Sequence, residues 1–130
     1  MIFIRYALTV EEYEKAEIFI KRIKPLLRTG DFVVERTEKN KDFDEKFSLS
    51  NQEKCNILSA LTAKDCYQIE SNNNPRYKEA EIYKFFKEIE MFVYGELEIL
   101  KLYLKMYIRE TKTYDVVIVI SFHEEGMYDV

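Results

Sequence analysis

The segment LKLYLKMYIR, Leu100 to Arg109, alternates without a break. Leu100, Leu102, Leu104, Met106 and Ile108 fall in one phase, and Lys101, Tyr103, Lys105, Tyr107 and Arg109 in the other. On a strand, whose side chains alternate in direction, this gives one apolar face and one cationic, aromatic face. Lysine and arginine hold phosphate, tyrosine stacks on a base or donates its hydroxyl, and histidine exchanges a proton near neutral pH. The only histidine of the chain, His123, closes the apolar run VVIVISF. In that run Val116, Ile118, Ile120 and Phe122 share one phase, and Val117, Val119, Ser121 and His123 the other. If the second phase lies on the Lys/Tyr face, His123 joins a set of residues suited to RNA chemistry. The plain alternative is the wet side of a one-sided sheet.

Other constellations carry less. His123 with Glu124, Glu125 or the cysteines lacks metal-ligand spacing, so no metal is expected. Three glycines, none clustered, provide no phosphate-cradling loop, and no cofactor is implied. Cys66 is a conceivable nucleophile for His123, but a placement in helical sequence favours a buried thiol. EKNKDFDEK reads as a solvated charge run, part of a connection rather than a carboxylate site.

The elements that must position these residues follow from capping and periodicity. Thr9 and Glu12 form a capping box ahead of EEYEKAEIFIKRIKPLL, where Tyr13, Ala16, Ile20, Ile23 and Leu27 make one stripe. Pro25 is expected to kink or end that helix, and Gly30 marks its exit. DFVVER reads as a short strand. Ser50 with Glu53 opens a second helix through Leu58 and Leu61, and Thr62 with Asp65 repeats the capping pattern. SNNNP, Ser71 to Pro75, is a loop. From Ile82 onward IYKFFKEIEMFV, LEILKLYLKMYIR and YDVVIVISF have strand spacing. Gly95 and ETKT supply the reversals of an antiparallel meander.

Composition bounds the rest. A chain of 130 residues with 47% hydrophobic and 15% aromatic residues fits one domain, 1–130, with a packed core. A net charge of −4 argues against a basic surface overall but leaves room for a local basic stripe. Cys55 and Cys66, both within sequence that reads as helical, suit a reducing cytoplasm. No apolar run is long enough to span a membrane, and MIFIRYALT is too short and too quickly polar for a signal peptide.

The order ILSALTAKDCYQIESNNNP, EIYKFFKEI, LYLKMYI and VVIVISFHEE resembles that of the motility quorum-sensing regulator (MqsR-like) toxins, within the RelE-like group of small ribonucleases. The resemblance runs from about Phe32 to Glu125, and the helix from Thr9 matches loosely. ILSALTAKD with the following tyrosine and ISFHE are its better signatures. It implies an α+β fold with N-terminal helices packed on a curved, mainly antiparallel sheet. It also implies a type II toxin that cleaves mRNA without metal and is neutralised by a cognate antitoxin.

Residue by residue, Tyr103 and Lys105 match the family's YLK or YIK strand, and Lys87 the lysine of its FGKEI segment. His123 falls on the basic position after SF. These four are the implied catalytic residues; Lys101, Tyr107 and Arg109 of the cationic face, with Lys84 and Gln68, are the candidate RNA-binding residues. Two departures stand out. Where some members carry a catalytic lysine this chain has Gln68, and where they carry a glutamine it reads Lys84, as though the roles were redistributed. EMFVYGELEILK is also longer than the usual hairpin. The competing reading is a non-catalytic module that binds protein or RNA on the same Lys/Tyr face.

Overall fold

The computed structural model describes residues 8–76 and 79–125. The leading MIFIRYA segment lies outside them. The first helix, α1 (Val10–Arg28), starts at the capping box: the Glu12 N–H donates to Thr9 Oγ1 at 3.1 Å, and the Thr9 N–H to Glu12 Oε1 at 3.0 Å. Pro25 does not stop it. The helix ends one turn later, where Gly30, at φ 78°, lets the Asp31 N–H bond the Leu26 carbonyl at 2.8 Å. No helix among the described residues is long and apolar enough to cross a membrane.

After the short strand β1 (Phe32–Val34), the charged stretch expected to be a solvated connection is instead a helix, α2 (Glu38–Phe47). Thr37 caps it by accepting the Asn40 N–H at 3.2 Å. Only Asn40, Phe43 and Phe47 face inward, three and four residues apart, which is too sparse a stripe to stand out among charges. Tertiary packing makes up the difference: the Phe43 ring lies 4.9 Å from that of Phe47 and 5.8 Å from that of Phe122. The next helix, α3 (Asn51–Ser59), opens on the Ser50–Glu53 capping box and is tied to α2 by a Lys54–Asp44 ion pair at 2.8 Å. It stops before Leu61, which is buried all the same.

A single 3-10 turn, Ala63–Asp65, leads into β2 (Cys66–Glu70), so Cys66 opens a strand rather than lying in a helix. Antiparallel pairing with β3 (Ile82–Val93) decides this, a partner that local sequence cannot show. β3 continues into β4 (Glu96–Glu110) and β5 (Asp115–Glu124) as the expected meander. Tyr94 and Gly95, with φ of 50° and 82°, form the two-residue turn between β3 and β4. The sheet order is β1-β5-β4-β3-β2, with only the β1–β5 pair parallel. The chain thus has an α+β fold with its helices preceding most of the sheet.

All three helices pack on one face. Phe19, Ile20, Ile23 and Leu27 of α1, Phe43 of α2 and Leu58 of α3 share a core with Phe85, Leu102, Leu104, Met106, Val117, Val119 and Phe122. Phe19 stacks on Tyr83 with centroids 3.9 Å apart, and burial pushes the Tyr83 hydroxyl up to about 12. The opposite face carries a smaller apolar cluster of Ile82, Tyr107, Val116 and Ile118 at one end.

Candidate active site

The expected phase of β5 is correct at its end and wrong at its start. Val117 and Val119 pair with Ile108 and Met106 and lie in the helix-side core, whereas Ser121 and His123 pair with Lys105 and Tyr103 on the opposite face. The switch is a β-bulge. Ile120 is the extra residue between the Lys105–Ser121 and Met106–Val119 pairs, and one inserted residue exchanges the two faces of everything beyond it.

Asn40 holds the bulge in place. Its side-chain amide donates to the carbonyls of Ile120 at 2.9 Å and Glu35 at 2.8 Å, and its Oδ1 accepts the Phe122 N–H at 2.8 Å. Asn40 is only 3% exposed; its bonds to Ile120 and Phe122 bracket the irregular point of the ladder, and its bond to Glu35 ties that point to the residue after β1. Nothing in the charge-rich sequence around Asn40 marks it for this work.

A second bulge, at Tyr67, separates the Cys66–Phe85 pair from the Gln68–Lys84 pair. It sends Cys66 into the core, where burial raises its thiol to about 11, and puts Gln68 and Glu70 on the face of Tyr103. Tyr67 stacks on Phe86 at 4.3 Å, and Phe86 meets Tyr103 edge-on at 5.7 Å. Tyr103 in turn stacks on His123 at 5.6 Å. Burial, with a hydrogen bond to Tyr103 second, holds the Tyr67 hydroxyl well above the ordinary phenol range.

One register along, Lys84 pairs with Lys105 and Lys105 with Ser121. Two ammonium groups therefore stand directly opposite on neighbouring strands, an arrangement that is unfavourable by itself. Glu70 relieves it, with Oε2 2.9 Å from Lys84 Nζ and Oε1 3.5 Å from Lys105 Nζ. Hydrogen bonding to Lys84, opposed by partial burial, keeps the Glu70 carboxyl below its ordinary value, so it is an anion at neutral pH. Lys84 Nζ also donates to Gln68 Oε1 at 3.2 Å.

Among comparisons with family models, curated proteins and solved structures, this chain finds no match. The site is thus read from its own geometry. His123 is 7% exposed, and its Nδ1 lies 2.9 Å from the Glu124 carbonyl. That contact fixes the neutral ring with its proton on Nδ1 and leaves Nε2 to accept one. Tyr103, Lys105, Lys84, Gln68 and His123 therefore converge on the face away from the helices.

The other expected site residues separate from this group. Lys87 pairs with Leu102 and projects to the helix side, where its ammonium lies 3.4 Å from Asp65 and 3.5 Å from the Ala60 carbonyl. Strict alternation from Phe86 requires this, so Lys87 does not converge with Tyr103. Tyr107 is buried in the second apolar cluster, and Arg109, six residues from Tyr103, lies about 20 Å away along the strand. Lys101 stays close, its Nζ 4.7 Å above the Phe86 ring and 3.2 Å from Glu125. The residues that sequence reasoning missed are Glu70, Tyr67, Phe86 and Asn40. For Glu70 the signal was its spacing of two from Gln68 in YQIE, hidden by reading the chain up to Cys66 as helical.

Proposed function

We propose that this protein is a metal-independent endoribonuclease acting on mRNA, a toxin of the MqsR-like, RelE-like kind, working in the cytoplasm and held in check by a cognate antitoxin. The observation that carries the reading is the stack of Tyr103 on His123 beside the Lys84–Lys105 pair, all on the face away from the helices. RNA can be cut with no other reactant than its own 2′-hydroxyl, which attacks the adjacent phosphate. The protein must then supply a proton acceptor, a proton donor to the leaving 5′-oxygen and positive charge near the developing phosphorane.

His123, through Nε2, is the group for proton transfer. Lys84 and Lys105 stabilise the added charge, and Tyr103 orients the phosphate or stacks on a base. The exchange of lysine and glutamine noted in the sequence supports the same reading. Gln68 and Lys84 are cross-strand partners joined by a hydrogen bond, so the exchange keeps one cation and one amide at the same pair of positions.

Two observations favour the non-catalytic alternative: the most nearly buried group of the site is His123, and the two lysines share a carboxylate. Single-stranded RNA incubated with the purified protein in excess EDTA separates the readings. Fragments ending in 2′,3′-cyclic phosphate and 5′-hydroxyl are expected. Intact RNA that nevertheless binds the Lys/Tyr face would move the protein to the binding-module class.

A further inference from the structure

We propose that Lys84 and Lys105 form a phosphodiester-binding site for single-stranded RNA that is plugged, in the free protein, by the carboxylate of Glu70. The inference rests on the RNA-directed reading above and adds to it a residue that opposes binding. Each carboxylate oxygen of Glu70 takes a different lysine, Oε2 on Lys84 and Oε1 on Lys105. Two non-bridging oxygens of a phosphodiester present the same pair of acceptors, and an ammonium does not distinguish a carboxylate from a phosphate except by charge and geometry.

The lysines are close to each other for a reason that the fold alone does not require. They occupy one register of β3 and β4, where a neutral or opposite-charge pair would be more stable, and the cluster keeps a surplus positive charge even with Glu70 in place. Glu70 is the last residue of β2, and the chain beyond it is the SNNNP loop rather than more strand. Its side chain is about a third exposed, with 31% of its surface open. It can leave by rotation about its own side-chain bonds without breaking a ladder beyond it. Lys84 keeps its Gln68 bond in either state. A weakly bound anion, or one phosphate alone, competes poorly with a tethered carboxylate; a strand whose neighbouring phosphates and bases also engage Tyr103 and Lys101 competes well. Glu70 thus sets a threshold that favours polynucleotide over small phosphates.

The test uses the full chain and a fluorescent single-stranded RNA oligomer methylated at every 2′-oxygen, which cannot be cleaved. Glu70→Gln, similar in shape and uncharged, is expected to bind it about tenfold more tightly than the wild type, with a salt dependence steeper by about 0.7 per phosphate gained. Adding Lys105→Ala to Glu70→Gln should remove that gain. Unchanged or weaker binding by Glu70→Gln overturns the proposal. Should that variant fail to fold, the wild type decides the matter by NMR: the Nζ signals of Lys84 and Lys105 and the Glu70 carboxyl signal should all shift on adding the oligomer, and a Glu70 signal that stays put overturns the plug. Cleavage is scored separately on unmethylated RNA. Tighter binding without cleavage removes the nuclease reading and keeps the plug, whereas cleavage with no gain in binding does the reverse.

Discussion

His123 is the residue on which the proposed reaction turns, because its Nδ1 is engaged by the Glu124 carbonyl and its Nε2 is left for proton transfer. His123→Ala should slow RNA cleavage about 10²-fold or more in samples that circular dichroism shows to be folded, with some loss of stability from the emptied, stacked position. Undiminished cleavage would remove His123 from the site. Glu70 makes a second expectation, this time for stability. Its carboxyl is held below the ordinary value, first by the hydrogen bond with Lys84. Its ion pairs are therefore fully present above the ordinary carboxylate range and are lost as pH falls through the lowered folded value. Urea midpoints measured from neutral pH down to about pH 3 should drop less for Glu70→Gln than for the wild type. Glu53, lowered by its bonds with Ser50, titrates in the same direction and is unaffected by that substitution.

At the scale of elements, the site depends on two bulges more than on any loop. If the ladder ran regularly through Ile120, with no bulge to absorb that residue, Phe122 and His123 would exchange faces, placing an imidazole in the core and a large aromatic ring in water. Asn40 of α2 stabilises the irregular ladder, linking a helix in a charge-rich stretch to the strand that carries His123. Asn40→Ala removes three hydrogen bonds to the backbone from a buried position and should cost about 2 kcal/mol or more. Cleavage should fall about 10²-fold even though no reacting group is touched, since a displacement of about 1 Å is enough. Asn40→Asp, which keeps the acceptor for the Phe122 N–H but sets a carboxylate oxygen against the Glu35 and Ile120 carbonyls, should cost at least as much. Denaturation and single-turnover cleavage on the same samples would check the ordering. Asn40 is thus a positioning residue.

Over the whole molecule, the helix-packed core and the candidate site lie on the two faces of one sheet. Leu104 lies fully buried on the helix side. Leu104→Ala should cost about 2–5 kcal/mol, read by urea denaturation. The β3–β4 hairpin extends beyond its neighbours and exposes Phe92, Tyr94, Leu97 and Ile99. Phe92 and Leu97 face each other across that hairpin, so replacing both by serine removes little buried surface. A change within about 0.5 kcal/mol is expected. A large loss would mean that the hairpin is anchored by contacts beyond the described ones. The net charge of −4 matters less than the local one: Lys84, Lys105 and Lys101 lie on one face, and what offsets them there are Glu70, Glu88 and Glu125.

The sequence by itself determined the local signals: the capping boxes at Thr9 and Ser50, the turn at Gly95 and the alternation of β4. These depend on neighbours within a few residues, so they are legible without a fold. It also placed Tyr103, Lys105 and the strand end at His123. The tertiary structure decided the rest, because the deciding partners are distant in the chain. Packing of Phe43 on Phe122 makes a helix of a charged stretch, and pairing with β3 makes a strand of CYQIE. The bulge pinned by Asn40 turns His123 toward Tyr103, and alternation from Phe86 turns Lys87 away. Periodicity gives a residue its phase; only the partner strand, with its bulges, says which face that phase is.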